Sequence, residues 1–149
     1  MWNEISSKED ANNLLELFGY FHDGCIKELK YVSGTFVKPN MNMMPINEKR
    51  ELCVIFQRQW RDPSVIEIVF SGLSLLHLAP VDENYTSEIL DANMEFSEDG
   101  VFWIDGDLSE KELHKALDAE GYTWIKAKKA KWRAVEEFIG NDDVFVYAR

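Results

Sequence analysis

The chain has 149 residues, 46% of them hydrophobic, which fits one domain able to bury roughly 70% of its unfolded surface and excludes wholesale disorder. No apolar run reaches the roughly 18 residues of a membrane helix, and the acidic, polar start "MWNEISSKED" argues against a secretory leader, so a single cytoplasmic domain over 1–149 is expected. The whole formal net charge of −11 resides in 82–120, where thirteen acids face only Lys111 and Lys115, so nucleic acid is a poor partner for that region, and the concentrated charge reads either as a surface for a basic protein or as plain solubility.

Ser6-x-x-Glu9 has the form of a capping box, and Ala11, Leu14, Leu15 and Phe18 follow at helical spacing. Gly19 sits where a left-handed residue ends a helix, so the spacing predicts a helix over 7–18. Beyond a turn at His22-Asp23-Gly24, "CIKELKYVSGTFV" is rich in strand formers, with imperfect alternation that predicts a bulge or twist near Gly34. Prolines and asparagines make "KPNMNMMPINE" a loop. Its Met41, Met43 and Met44 are expected to fold over the sheet edge, the other reading being a flexible apolar contact surface.

In "LCVIFQRQW" Leu52, Val54, Phe56 and Trp60 point one way and Cys53, Ile55, Gln57 and Gln59 the other. "RDPS" is a turn, and "VIEIVFSGLSLLHLA" resumes the strand pattern with Ile66, Ile68 and Phe70 on one face and a bend at Gly72. "YTSEILDANM" reads as a helical turn or a connector. "MEFSEDGVFWI" reads as a hairpin turning at Glu98-Asp99-Gly100. "LSEKELHKALDAEG" places Leu113, Ala116 and Leu117 on one face and Gly121 at its end, which predicts a helix. Between a strand and a helix for "YTWIKAKKAKWRAVEEF", a strand over 123–133 is favoured, with Trp124, Ala130, Trp132 and Ala134 on one face. "VFVYA" would close the sheet. The fold class is therefore α+β: a curved antiparallel sheet of about six strands with one or two helices packed against it.

His22-Asp23 is the densest chemical feature, yet neighbours in sequence point in different directions, so adjacency alone makes no catalytic dyad. The turn reading needs less: Asp23 accepts backbone N–H groups, Gly24 takes an unusual dihedral, and His22 bonds a carbonyl beside Phe21. A metal site would require His22 and Asp23 to converge with His77 or His114, and no fixed spacing says that they do. His77 alternates with leucines as a half-buried, hydrogen-bonded residue would, and His114 lies on a polar face. Asp105, Asp107 and Ser109 begin like a calcium loop, but Ala116 stands where the bidentate glutamate belongs. Cys25 and Cys53 are read as reduced thiols. There is no nucleophile elbow, no glycine-rich phosphate loop and no motif that calls for a cofactor or metal.

"FHDGCIKEL", followed by "VIFQRQW", "IEIVFSGLSLLHL" and the Trp124 to Trp132 pattern, resembles a group of small bacterial proteins similar to the immunity proteins of polymorphic toxin systems. The pattern of those proteins usually has serine or alanine where this chain has Gly24, a departure that suits a turn at this position. The resemblance implies a non-enzymatic module that binds and blocks a cognate toxin. Read with the charge distribution, its contacts would be Tyr85 and Trp103 ringed by Glu95, Asp99, Asp105 and Asp107, although Trp103 could equally fill the core. The alternatives are a small hydrolase or metal-dependent enzyme centred on His22 and Asp23 with His77, and a lipocalin-like binder whose curled sheet encloses a cavity.

Overall fold

Alternating apolar residues in "LCVIFQR" and "VIEIVF" build the centre of the structure, a computed structural model that describes residues 1–146. The strands are β1 (Asn3–Ile5), β2 (Gly24–Val32), β3 (Phe36–Val37), β4 (Met43–Met44), β5 (Glu51–Arg58), β6 (Val65–His77), β7 (Asn93–Ser97), β8 (Gly100–Ile104) and β9 (Trp124–Ala134). The helices are α1 (Lys8–Leu17) and α2 (Glu110–Leu113), with single 3-10 turns at Gly19–Phe21, Ala119–Gly121 and Glu136–Phe138. The main sheet runs β2-β5-β6-β9-β8-β7, antiparallel throughout, and β1 pairs with β9 beyond the reach of β8. The α+β expectation holds.

Leu52, Val54, Phe56, Ile66, Ile68 and Phe70 share one buried face as their alternation requires. Leu14 and Leu15 of α1 close over it, and Phe21 packs edge-on against Phe18, Phe56 and Trp103 at 5.0, 4.9 and 5.6 Å. The sheet stays open, and the face toward α1 is filled with aromatic rings where a lipocalin-like binder would keep a cavity. The opposite face carries two smaller clusters, one of Ile55, Val65 and Val135 and one of Phe102, Ile104 and Leu113. No helix among the described residues is long and apolar enough to cross a membrane.

Several local expectations change. Ser7, not Ser6, caps α1: its hydroxyl accepts the Asp10 N–H at 3.0 Å while the Asp10 carboxylate accepts the Ser6 N–H at 2.9 Å. The cap moves by one residue because β1 keeps the chain extended through Ile5. The irregularity in β2 falls between Ile26 and Glu28, whereas Gly34, at φ 97, lies beyond the strand. Met43 and Met44 pair with Val37 and Phe36 in a separate two-stranded ribbon, and Met41 and Met43 are exposed instead of covering the sheet edge. Trp60, expected on one face with Leu52, Val54 and Phe56, lies past the end of β5 and is exposed.

Strand β9 is confirmed, but its face assignment is not. Phe70 pairs with Ala130 and Leu73 with Ala127, and between them Gly72 takes φ 65 against the Lys128 side chain. That interruption slips the alternation, so Lys128 and Lys129 are exposed in succession and both Ala127 and Ala130 face the core. Trp124 consequently belongs to the opposite face, with Phe102, and does not share one with Ala130 and Trp132. The predicted long helix after Leu108 is a single turn, capped reciprocally by Ser109 and Glu112, with Leu117 fully exposed. Val144, Phe145 and Val146 form no strand, and Tyr147 and Ala148 of the expected closing strand lie outside the described residues.

Candidate functional site

Between α1 and β2 the chain makes a left-handed turn: Gly19, Tyr20, Phe21 and Asp23 take φ of 58, 56, 62 and 59. The expected unusual dihedral therefore belongs to Asp23, not Gly24. Gly24 is required for a different reason, since a Cβ there would meet the Phe21 carbonyl oxygen at 2.8 Å and the Gln57 carbonyl oxygen at 3.0 Å.

The turn ties three parts of the molecule together. The Asp23 N–H donates to the Ile89 carbonyl at 3.1 Å and the Ile89 N–H to the Gly24 carbonyl at 2.7 Å, so the acidic connector 82–92 is stitched to the start of β2. The Trp60 indole N–H donates to the Asp23 carboxylate at 3.3 Å, and the Gln59 N–H to the Asp23 carbonyl at 3.1 Å. His22 Nδ1–H donates to the Leu90 carbonyl at 2.6 Å, and its Nε2 lies 3.5 Å from the Asp23 carboxylate. That carbonyl, then the charges of Asp23, Asp91 and Glu88, raise the His22 pKa above the ordinary histidine value. His22 thus acts as a fastener for the acidic connector.

Burial pushes the nearby Cys25 thiol up, and its hydrogen-bond neighbour is the Gln57 backbone. Cys53 is pushed to about 11 by burial and then by Glu51. His77, by contrast, donates from Nδ1 to the Tyr122 carbonyl at 2.7 Å and stacks on Trp124. Each of the two histidines is thus anchored to its own carbonyl. Among the described residues no three His, Cys, Asp or Glu side chains could hold a metal ion. Beside the turn lies a groove of about 400 Å³ lined by Asp23, Cys25, Arg58, Ser87, Glu88 and Ile139, and it holds neither His22 nor His77.

The acidic segment spans three structural settings. Tyr85 is 76% exposed on the loop before β7, where its N–H donates to the Asp82 carbonyl at 2.9 Å. The Asp82 carboxylate caps that loop by accepting the Asn84 backbone N–H at 2.9 Å and side-chain amide at 2.7 Å, which hold its pKa below the usual range. Glu95, on β7, accepts from the Asn93 amide at 3.3 Å, and Asp99 is exposed at the hairpin tip. Asp105 and Asp107 follow β8, half-buried and exposed respectively. Trp103 does not belong with them: it has no exposed surface and sits in the aromatic core, so it cannot touch a partner. Leu90 and Leu117, 69% and 106% exposed, are apolar groups in this segment that sequence reasoning missed or turned inward.

Among the described residues, Glu110 is the only carboxylate of 82–120 with a lysine or arginine within ion-pair distance, at 2.7 Å from Lys126. The other twelve acids of the segment have no lysine or arginine among the described residues within that distance. No protein-family model, no curated protein and no solved structure matches this chain.

Proposed function

We propose that the protein is a non-enzymatic binding module that engages a basic protein through segment 82–120, as a toxin-neutralising immunity protein would. The observation that carries this reading is the unneutralised charge: thirteen acids in that segment, one of them matched by a cation among the described residues. A chain that needed charge only for solubility could spread it, whereas here the other segments balance to zero. Exposed Tyr85, Leu90 and Leu117 add the apolar contacts that a charged ring requires to hold a partner after electrostatic steering has brought it in.

The test is coexpression with a basic toxin encoded beside it, followed by titration of the purified pair. Restored growth is expected, with an affinity that weakens by about tenfold or more as salt rises from about 0.05 to about 0.5 M. Charge reversal in a triple variant, Glu83→Lys, Asp99→Lys and Asp107→Lys, should abolish protection. Protection that survives both the salt and the reversal would overturn the acidic-surface reading.

A further inference from the structure

Asp105 leaves the end of β8 with its N–H donating to the Thr123 carbonyl at 2.9 Å, and this places it in a cavity of about 140 Å³. Ile26, Leu78, Pro80, Val81 and Ile89 form the apolar wall. Among the described residues no donor reaches its carboxylate, and burial alone raises its pKa to about 6, with no charged neighbour contributing. The polar atoms that remain are few. The Thr123 hydroxyl already accepts the Ala79 N–H at 2.9 Å, and Ser87 supplies the other hydroxyl. Asp105 is the single titratable group of the lining, and it lacks a counter-charge.

We propose that this cavity binds a primary alkylammonium group, with the alkyl chain against Ile26, Leu78 and Ile89 and the ammonium on the Asp105 carboxylate. The inference deepens the reading above, for which Asp105 is one contact, by naming its ligand. A cavity of about 140 Å³ holds about five waters' worth of liquid at ~30 Å³ each, which matches the heavy-atom count of n-butylammonium and of the lysine side chain beyond Cα. A lone carboxylate cannot supply the six to eight oxygens that calcium takes. An ammonium on an apolar stem meets what the cavity offers: one charge and an apolar wall.

The probe is n-butylammonium, followed by calorimetry and amide shifts at pH 7.5, with n-butanol as the uncharged control. Saturable binding at one site is expected, about tenfold tighter than n-butanol, with shifts confined to the lining residues. Asp105→Asn keeps the shape and should lose about tenfold, and Val81→Trp should block the cavity without touching the carboxylate. Lowering the pH to 5 should weaken binding about tenfold, because a group with pKa about 6 is then about one-tenth ionised. Equal binding of n-butanol, or unchanged binding by Asp105→Asn, overturns the site. The peptide acetyl-Gly-Lys-Gly-amide identifies the source: binding at least as tight as n-butylammonium means a protein lysine, and binding of the free amine alone means a small metabolite. A chain that still neutralises a toxin but takes no amine overturns this site alone; one that takes the amine but binds no basic protein overturns the wider reading alone.

Discussion

The Glu28 carboxylate accepts the Val144 backbone N–H at 2.7 Å through one oxygen, while its other oxygen accepts the Phe145 N–H at 3.1 Å. Lys27 steadies the first oxygen at 3.0 Å. The local irregularity of β2 turns Glu28 toward the chain's late residues, where Val144 and Phe145 cover Ile55, Val65 and Val135. Glu28→Ala should therefore destabilise the fold by about 1–3 kcal/mol, as the loss of charge-assisted hydrogen bonds does. Urea unfolding measures the loss, and hydrogen exchange should accelerate first at Val144 and Phe145.

The same carboxylate gives acid sensitivity with a defined sign. Burial pulls the Glu28 pKa up, but the Val144 and Phe145 N–H groups and Lys27 pull it down further, and the net direction is downward. A depressed folded pKa adds stability that is fully present above the ordinary glutamate value of about 4.3 and is lost as pH falls through the folded value below it. Wild type should lose stability through that window, and Glu28→Gln should flatten the loss.

His22 has the opposite sign. With its pKa raised first by the Leu90 carbonyl and then by Asp23, its contribution is fully present below the unfolded value near 6.5 and declines as pH rises through the higher folded value. A ring-nitrogen NMR titration should place His22 above free histidine. In Asp23→Asn the midpoint should fall but stay raised, because the carbonyl bond persists.

Trp103 separates packing from polarity. Its Nε1 is buried without a hydrogen-bond partner, so Trp103→Phe removes an unsatisfied donor along with some volume. That variant should lose no more than about 1.5 kcal/mol, whereas Trp103→Ala should lose about 3–5 kcal/mol. A large loss in the phenylalanine variant would mean that the indole N–H does find a partner.

Glycine substitutions test the backbone geometry. A Cβ on Gly100, at φ 118, would lie 2.1 Å from the Ala127 carbonyl oxygen, and one on Gly121 would meet nothing within 4 Å. Gly100→Ala should cost at least about 3 kcal/mol, while Gly121→Ala should stay within about 0.5 kcal/mol. Gly24→Ala, facing two carbonyl oxygens, should fall between them.

The two central strands are legible in the local sequence. The alternation of Leu52, Val54 and Phe56, and of Ile66, Ile68 and Phe70, is a property of six-residue windows, and the sheet follows it. What failed depends on distant partners. Three residues of β1 are too few for a period, and they are strand only because β9 lies beside them. Leu117 has helical spacing with Leu113, but the patch of Phe102, Ile104 and Trp124 is small enough for Leu108, Leu113, Ala119 and Tyr122 to cover, so no longer helix is needed. The slip at Gly72 cannot be seen from β9 alone because its cause lies on β6. The Asp105 cavity draws its lining from five separate stretches, and local sequence marked only the aspartate.

The pairing of Asn3 with Trp132 and of Ile5 with Ala130 brings together residues separated by most of the chain. During synthesis on the ribosome, β1 waits, without its β9 partner, until Trp124–Ala134 has been made. The sheet's middle is completed only after β9 has followed β6 across the intervening connector and hairpin, so assembly is governed by loop closure and not by local order, and slow maturation follows from that topology.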